Sequence, residues 1–518
     1  MIKEGEVYMD SKYVLILVTI FVYLIAMVAI GVACSKRNKS TDDFYLGGRK
    51  LGPLVTAMSA EASDMSSYLL MGLPGLALLS GIADVGWTVI GLAVGTYLNW
   101  LIVAKRIRRY SQHIGAVTIP DFFSRRYRDD RHLLSLIAAL VIIVFFIPYT
   151  ASGFNACGTL FSSLFGIDYF TAMIISAVVI VLYTAMGGFL AASTTDLIQS
   201  IVMTIALIVV IFFGIHTAGG WDAVVENAKA LPGYLSMGQT YVAESGTAAP
   251  YGPLTIISTL AWGLGYFGMP HILLRFMAIE NVNKLKTSRR IATVWVVISM
   301  AVAILIGVVG NGMIHAGALA EIPAADAQRI IINISELIST YGVIPAIVAG
   351  VILSGILAAT MSTADSQLLA AASSVSQDLV RDTLGVKLSD KMSMVIARGT
   401  VILIAIIGVI WAREEGSVFT IVSFAWAGFG AAFGPVVLLA LFWKRSNKWG
   451  ALAGMIAGGV MVFIWKYGVR PLGGLLDIYE LLPAFLIAIV VNVVVSLLTG
   501  KPEKEVEQAF DEVAAMKG

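Results

Sequence analysis

The chain has 518 residues, of which 58% are hydrophobic and only 13% are charged, and its formal net charge is +2. Soluble domains carry about 25% charged residues, so this composition excludes an ordinary soluble protein. The small net charge gives no reason to expect nucleic-acid binding. The two cysteines, Cys34 and Cys157, lie in apolar blocks, which favours free thiols over a disulfide framework.

Apolar segments of the length that crosses a bilayer, about 20 residues, recur along the chain and predict an all-α integral membrane protein with thirteen spans. The first segment follows acidic residues and has no cleavage site, so we expect a permanent span and not a signal peptide. With the N-terminus outside, most of the 35 lysines and arginines fall on the cytoplasmic side, as the positive-inside rule requires. The C-terminal tail is then cytoplasmic. We number the predicted spans 1 to 13: 13–34, 52–80, 82–104, 133–165, 169–187, 190–218, 251–278, 291–316, 343–380, 392–412, 417–443, 450–469 and 477–499.

Spans 2 and 7 are interrupted by glycine, proline, hydroxyl and charged residues at 58–75 and 262–271. Unwound backbone at membrane depth is tolerated only where it is buried or lines a cavity. The two interrupted spans lie five spans apart, which fits two inverted five-span repeats with broken first helices at a central site. The predicted divisions are 1–51 (tail and span 1), 52–218 and 251–443 (the repeats), 450–499 (two further spans) and 500–518 (cytoplasmic tail).

Motifs of enzymes and ATP-driven pumps are missing from this sequence. Gly263, Gly265 and Gly268 fit G-x-G-x-x-G, but no predicted strand precedes them. The five histidines have no metal-ligand spacing, and no Walker phosphate loop is present. We therefore expect neither an enzyme nor an ATPase.

Four carboxylates fall within predicted spans: Glu61 and Asp64 in span 2, Asp196 in span 6 and Asp365 in span 9. An intramembrane carboxylate is costly unless it meets a cation, water or another partner, so these residues suggest cation handling. The alternative is that each is a structural hydrogen-bonding group or lies near an interface.

Hydroxyl residues cluster beside two of these carboxylates. A serine in a membrane helix more often bonds the carbonyl of its own helix four residues back. Clustering on broken span 2 and on span 9 nevertheless favours a sodium site, because neutral hydroxyls and carbonyls suit a hard monovalent cation. The hydroxyls concerned are Ser63, Ser66, Ser362 and Thr363.

Five motifs make the chain resemble the sodium/solute symporter family, and within it the bacterial sodium/proline symporters. They are FYLGGR (44–49), ASDMS (62–66), MGLPG (71–75), WGLGYFGMPHILLRFMA (262–278) and MSTADSQLL (361–369). The resemblance implies the leucine-transporter fold with extra helices, thirteen spans, and import of L-proline with co-transported Na⁺ through the cell membrane.

The resemblance also implies roles for individual residues. The sodium ligands would be backbone carbonyls of Ala62, Met65 and Ala359 with the side chains of Ser362 and Thr363. Coupling would involve Asp64, Arg49 and Ser63. The solute would contact Tyr149, Trp262, Tyr266, Pro270, Ser66 and Ser67, although core packing is the alternative for Trp262 and Tyr266. Beyond the proline pattern, Asp196, Asp365 and Ser366 would hold a second cation, a shared proton, or only line a water-filled vestibule.

Departures from the proline-symporter pattern leave the cargo open. That pattern has Gly at Glu61, Gly-Trp at Ser67 and Tyr68, and Gln at Met269. Another amino acid, a monocarboxylate or pantothenate is an alternative solute, and a sugar acid is less favoured because span 7 offers few polar side chains. A transporter-like sensor is a second class, but it needs a cytoplasmic signalling module, which we do not expect after span 13. The sequence leaves the oligomeric state open.

Overall fold

A computed structural model describes residues 10–35, 41–386, 389–413 and 416–516. Within these ranges the regular elements are helices and one β-hairpin. The longer helices are Ser11–Ser35, Leu133–Phe165, Tyr169–Thr217, Leu285–His315, Val343–Ser373, Asp390–Trp411, Val418–Phe442, Lys448–Ile464 and Leu481–Leu498. The shorter ones are Thr41–Leu46, Pro53–Ser67, Leu73–Ser80, Ala83–Leu98, Ala104–His113, Ile119–Arg126, Trp221–Ala230, Pro253–Leu260, Pro270–Ala278, Ile330–Ser339 and Lys504–Ala515.

Tighter and wider helical turns join several of these helices. Wide π turns often mark a functional position within a helix. The 3₁₀ segments are Gly47–Arg49, Ala261–Gly268, Val282–Lys284, Ala324–Arg329, Arg470–Leu472 and Gly474–Leu476. The π segments are Tyr68–Gly72, Asn99–Val103, Ser374–Thr383 and Trp465–Val469.

Ten helices of the described ranges are long and apolar enough to cross a membrane, and a pair bent by 47° at Met269 makes eleven. This confirms a multi-pass helical membrane protein but does not confirm the count of thirteen. Predicted span 2 is broken into three short pieces, and the apolar stretch of predicted span 5, Tyr169–Leu182, is short. Spans 5 and 6 form one helical run that is interrupted at Gly188, whose φ of 64° favours glycine.

The lipid-facing surface follows from which apolar side chains remain exposed. Phe212 is 69% exposed and Ile344 75% exposed, although both are strongly apolar. In the same helices, Ala206 and Ile352 are buried. Membrane helices show this distribution because their outer faces contact hydrocarbon instead of water.

Small residues bring span 3 against the unwound part of span 7. A Cβ atom on Gly91 would lie 2.5 Å from the carbonyl oxygen of Leu260, and Gly95 packs directly on Gly263. Only glycine permits backbones to approach so closely. Gly91 and Gly95, four residues apart, therefore let span 7 pack directly against span 3.

The hairpin lies in the linker between spans 6 and 7, and no strand is predicted there from the sequence. Strands β1 (Gln239–Val242) and β2 (Thr247–Pro250) pair antiparallel, with Gln239 opposite Pro250. Thr240 and Tyr234 of this linker donate hydrogen bonds to carbonyls at the end of span 2, of Ser80 (3.1 Å) and Ala77 (2.7 Å). The linker thus covers the end of the broken helix.

Candidate functional site

Span 2 breaks at Ser66, as predicted. Ser66 has φ 47° and ψ −171°, values that are strained for a residue with a side chain. Its hydroxyl accepts the backbone N–H of Tyr68 at 3.2 Å, the same N–H that the Met65 carbonyl accepts. The helix then continues as a π turn at Tyr68–Gly72. Before the break, the Ala62 carbonyl accepts a hydroxyl from another span, that of Ser362.

Span 7 breaks between Gly268 and Pro270, again as predicted. The 3₁₀ segment Ala261–Gly268 ends at Met269, which is extended (φ −75°, ψ 110°), and Pro270 begins the next helix. Proline suits this first turn because it needs no N–H partner there. The indole of Trp426 fills the space that a Cβ atom on Gly265 would occupy. The glycine pattern therefore serves close packing.

Four of the five predicted sodium ligands meet between spans 2 and 9. The Ser362 hydroxyl donates to the Ala62 carbonyl at 2.8 Å and to the Ala359 carbonyl at 3.2 Å. Thr363 also donates to the Ala359 carbonyl, at 3.2 Å. The fifth carbonyl, of Met65, accepts the backbone N–H of Tyr68 just before the break. All these residues are buried, so the cluster offers neutral oxygens in a dry setting, which suits a hard monovalent cation.

Asp64 connects this oxygen cluster to the predicted solute residues. Its carboxylate accepts the Tyr266 hydroxyl at 2.5 Å, and its backbone carbonyl accepts the Tyr149 hydroxyl at 3.2 Å. Asp64 is 6% exposed. Its neighbour Ser63 instead donates within its own helix, to the Ala60 carbonyl at 3.0 Å. Asp64 therefore joins span 2, beside the oxygen cluster, to spans 4 and 7.

Trp262 belongs to an aromatic layer beside the break of span 2. Its ring stacks on Tyr68 and Tyr479, with centroid distances of 5.8 and 5.2 Å, and packs against Phe419 at 5.4 Å. The Trp426 indole donates to the Trp262 carbonyl at 2.8 Å. Within the described residues, the buried hydroxyls of Ser67 and Tyr68 have no hydrogen-bond partner. Pro270 is buried at the second break.

A cavity of about 510 Å³ borders this aromatic layer at Phe419. Phe419 lines the cavity and also packs against Tyr68 at 5.8 Å. The remaining lining comes from the end of span 2 (Gly72–Leu79), the 3₁₀ segment Ala324–Arg329 and the start of span 11. Phe419 is therefore the ring of this layer that contacts both the cavity and the rings of Tyr68 and Trp262.

Arg275 is the residue that sequence reasoning missed. It is 1% exposed, and its guanidinium donates to the Asp196 carboxylate at 3.2 Å, to the Ser366 hydroxyl at 2.5 Å and to the Ser59 hydroxyl at 3.0 Å. Asp365 accepts the Ser366 hydroxyl at 3.1 Å. The positively charged Arg275 guanidinium therefore lies at the position where we predicted a second bound cation. An arginine inside an apolar span requires a partner, so its presence in the span 7 motif was the available signal.

Arg49 joins three elements at the other end of span 2. Its guanidinium donates to the Met277 carbonyl at 2.8 Å, the Ala116 carbonyl at 2.5 Å and the Ser111 hydroxyl at 3.1 Å. The predicted coupling residue therefore connects the start of span 2 to the end of span 7 and the loop after span 3.

Two broken helices that are joined by Asp64 and Tyr266, beside a buried oxygen cluster and a layer of aromatic rings, define a secondary transporter with a central site. A sequence model of the Sodium:solute symporter family matches residues 44–458. The chain belongs to this family.

Similar proteins agree with this membership. The osmoregulated proline transporter OpuE of Bacillus subtilis is 40% identical over 96% of this chain and 97% of its own. The sodium/proline symporter of Haemophilus influenzae is 42% identical over the same shares of the two chains. The high-affinity proline transporter PutP of Bacillus subtilis is 43% identical over 94% of this chain and 98% of its own.

Solved structures support the fold. A Na⁺-coupled sialic acid symporter in a substrate-bound outward-open state aligns with a TM-score of 0.77 at 19% identity, over 95% of this chain and 99% of its own. The nucleobase-cation-symport-1 family transporter MHP1 aligns with a TM-score of 0.52 at 15% identity, over 92% and 99%. The described chain therefore has the same fold as these membrane transporters.

Proposed function

We propose that this chain is a sodium-coupled symporter that imports L-proline by alternating access. The observation that carries the proposal is the chain of contacts from Ser362 to Ala62 and from Asp64 to Tyr266, which joins an ion cluster to a solute site through one broken helix. Relatives that are named sodium/proline symporters support the choice of ion and solute.

The proposed cycle begins when sodium enters between spans 2 and 9. The ion takes the place of the hydrogen bonds that Ser362 and Thr363 now donate to carbonyls, so the same oxygens become ion ligands. Asp64 lies beside these ligands, and its charge stabilises the ion in a site with a low dielectric constant. Sodium binding thereby fixes Asp64, which holds Tyr266 and Tyr149 in place for the solute.

L-Proline fits the chemistry of the neighbouring space. Its compact apolar ring suits the faces of Trp262 and Tyr266, and its carboxylate suits N–H groups at the ends of the broken helices. Ser66, Ser67 and Pro270 lie at those ends. The unpartnered hydroxyls of Ser67 and Tyr68 favour one alternative, a small solute with an additional polar group.

Thirteen spans follow if broken span 2, short span 5 and bent span 7 each cross the membrane. The distribution of lysine and arginine then sets the N-terminus outside and the tail in the cytoplasm. In this orientation the cavity beside Phe419 is an extracellular vestibule, and the aromatic layer is its gate. The inverted repeats at 52–218 and 251–443 place both breaks at the membrane centre.

A cation site at Asp196, Asp365 and Ser366 stays a prediction. Arg275 contacts Asp196 and Ser366. A sodium ion there would have to share these oxygens with the guanidinium or displace it.

Uptake of radiolabelled proline into proteoliposomes tests the proposal. An inward sodium gradient should drive uptake, and the same gradient of potassium should not. Unlabelled proline should compete better than other amino acids, monocarboxylates or pantothenate. Competition by one of these compounds but not by proline would retain the symporter class and replace the solute. Uptake that ignores sodium would reject the proposal.

A further inference from the structure

The buried carboxylates of the central bundle differ in what balances their charge. Asp196 is paired with Arg275. Asp64 borders the proposed sodium ligands Ala62 and Met65. Glu61 makes no ion pair with any described residue, although only 1% of its surface is exposed. A buried charge without a partner is strongly unfavourable, so this difference requires an explanation.

The Glu61 carboxylate is hydrogen-bonded to span 3. One carboxylate oxygen, Oε1, accepts the Trp100 indole N–H at 2.8 Å and the Thr96 hydroxyl at 3.1 Å. The other oxygen, Oε2, has no hydrogen-bond partner among the described residues. Both donors are neutral, so they orient the carboxylate without balancing its charge.

Asn99 adds a second oxygen of the same kind. Its amide N–H donates to the Tyr266 carbonyl at 2.9 Å, which places the side chain between spans 3 and 7. The amide oxygen, Oδ1, is buried and has no partner in the described part of the chain. Thr96, Asn99 and Trp100 have the i, i+3, i+4 spacing that puts residues on one helix face. That face contacts Glu61, and a π turn begins at Asn99.

The region where spans 2, 3 and 7 meet thus contains two acceptor oxygens, Glu61 Oε2 and Asn99 Oδ1, that have no hydrogen-bond partner among the described residues. A hydroxyl, that of Thr96, lies beside them. A cation held between Glu61 and Asn99 would satisfy both acceptors, and oxygen ligands of this type suit hard cations. The site has one carboxylate, so a monovalent ion balances its charge.

We propose that Glu61 and Asn99, with Thr96 beside them, bind a second sodium ion, separate from the cluster at Ala62 and Ser362. This inference rests on the sodium-coupled transport proposed above. It differs from the prediction at Asp196 and Asp365, where Arg275 already supplies a positive charge. Through Asn99 and the Tyr266 carbonyl, the second ion also lies next to the solute site.

Binding of ²²Na⁺ to the purified full-length protein, together with the sodium-to-proline flux ratio in proteoliposomes, tests the proposal. The wild type should bind two sodium ions and show a flux ratio of about two, with a sodium Hill coefficient above one. Glu61→Gln keeps an acceptor for Trp100 and Thr96 but removes the charge, and should lower both values to about one. Ser362→Ala should weaken the other ion, and the double variant should lose both.

Matched variants separate this effect from damage to the fold. Glu336→Gln neutralises a half-buried glutamate that accepts the Tyr13 hydroxyl at 2.6 Å, and should leave two sodium ions bound. Glu61→Gly, with the residue of the proline-symporter pattern, is a second test variant if Glu61→Gln folds poorly. Proline binding in each variant reports whether the solute site is intact.

One bound sodium ion in both the wild type and the Glu61 variants would overturn the inference and leave sodium symport standing. The same count with a pH dependence that Glu61→Gln abolishes would assign the balancing charge to a proton, and would also overturn it. No sodium binding at all in the wild type would instead reject the proposed function itself.

Discussion

Replacing Ser362 with alanine tests the ion cluster most sharply. The hydroxyl is fully buried and is the side chain that joins span 9 to the Ala62 carbonyl of span 2, at 2.8 Å. Loss of one neutral ligand should cost about 1–3 kcal/mol of sodium binding. The sodium concentration for half-maximal proline uptake should therefore rise about 5- to 150-fold.

Ser354→Ala is the matched control. Ser354 lies two turns earlier on the same helix, is also buried, and donates only to the Gly350 carbonyl of its own helix at 2.8 Å. The control should leave the sodium dependence unchanged. Initial rates of labelled proline uptake, measured over a sodium series with equal amounts of each protein, provide the assay. Equal sodium dependence of the two variants would refute the assignment of Ser362 as a ligand.

Three further predictions concern charge, cargo and stability. Asp64→Asn should abolish sodium-dependent uptake while Asp64→Glu retains part of it, because the charge is needed; normal sodium kinetics in the Asn variant would make Asp64 structural. Trp262→Ala or Tyr266→Ala should weaken proline binding strongly while lowering the melting temperature little. Proline should also protect a cysteine at position 266 from alkylation. If no solute protects this cysteine, the assignment of Tyr266 to the solute site is contradicted. Arg275→Ala should destabilise the protein by about 3–5 kcal/mol because it leaves the Asp196 carboxylate buried and unpaired. Thermal unfolding in detergent measures this loss, and a variant as stable as the wild type would show that the pair is dispensable.

The sequence predicted the long spans because hydropathy alone requires them. It also located both helix breaks, since glycine, proline and hydroxyls are unusual in a lipid-facing helix. The count of thirteen spans was not confirmed, because an unwound helix such as 53–80 yields pieces that are each too short to span a membrane. The hairpin at 239–250 was not predicted, because its strands are only four residues each and lie in a polar linker.

The sequence did not predict which buried side chains contact one another. Arg275 and Asp196 are 79 residues apart, and only the packing of spans 6 and 7 brings them together. The pairing of Glu61 with Trp100 and Thr96 likewise depends on how span 3 lies against span 2. By contrast, the hydroxyl pair at Ser362 and Thr363 was recognisable from its motif, and the Ser362 hydroxyl donates to the Ala62 carbonyl.

Sodium flux driven by proline is the most direct test of coupling. Proteoliposomes with equal sodium on both sides, clamped at zero membrane potential, should take up ²²Na⁺ when proline is added outside, because coupling is reciprocal. Asp64→Asn should abolish this flux, and Ser354→Ala should preserve it. If proline enters the vesicles without moving sodium, the chain transports proline but is not a sodium symporter, and the central claim is contradicted.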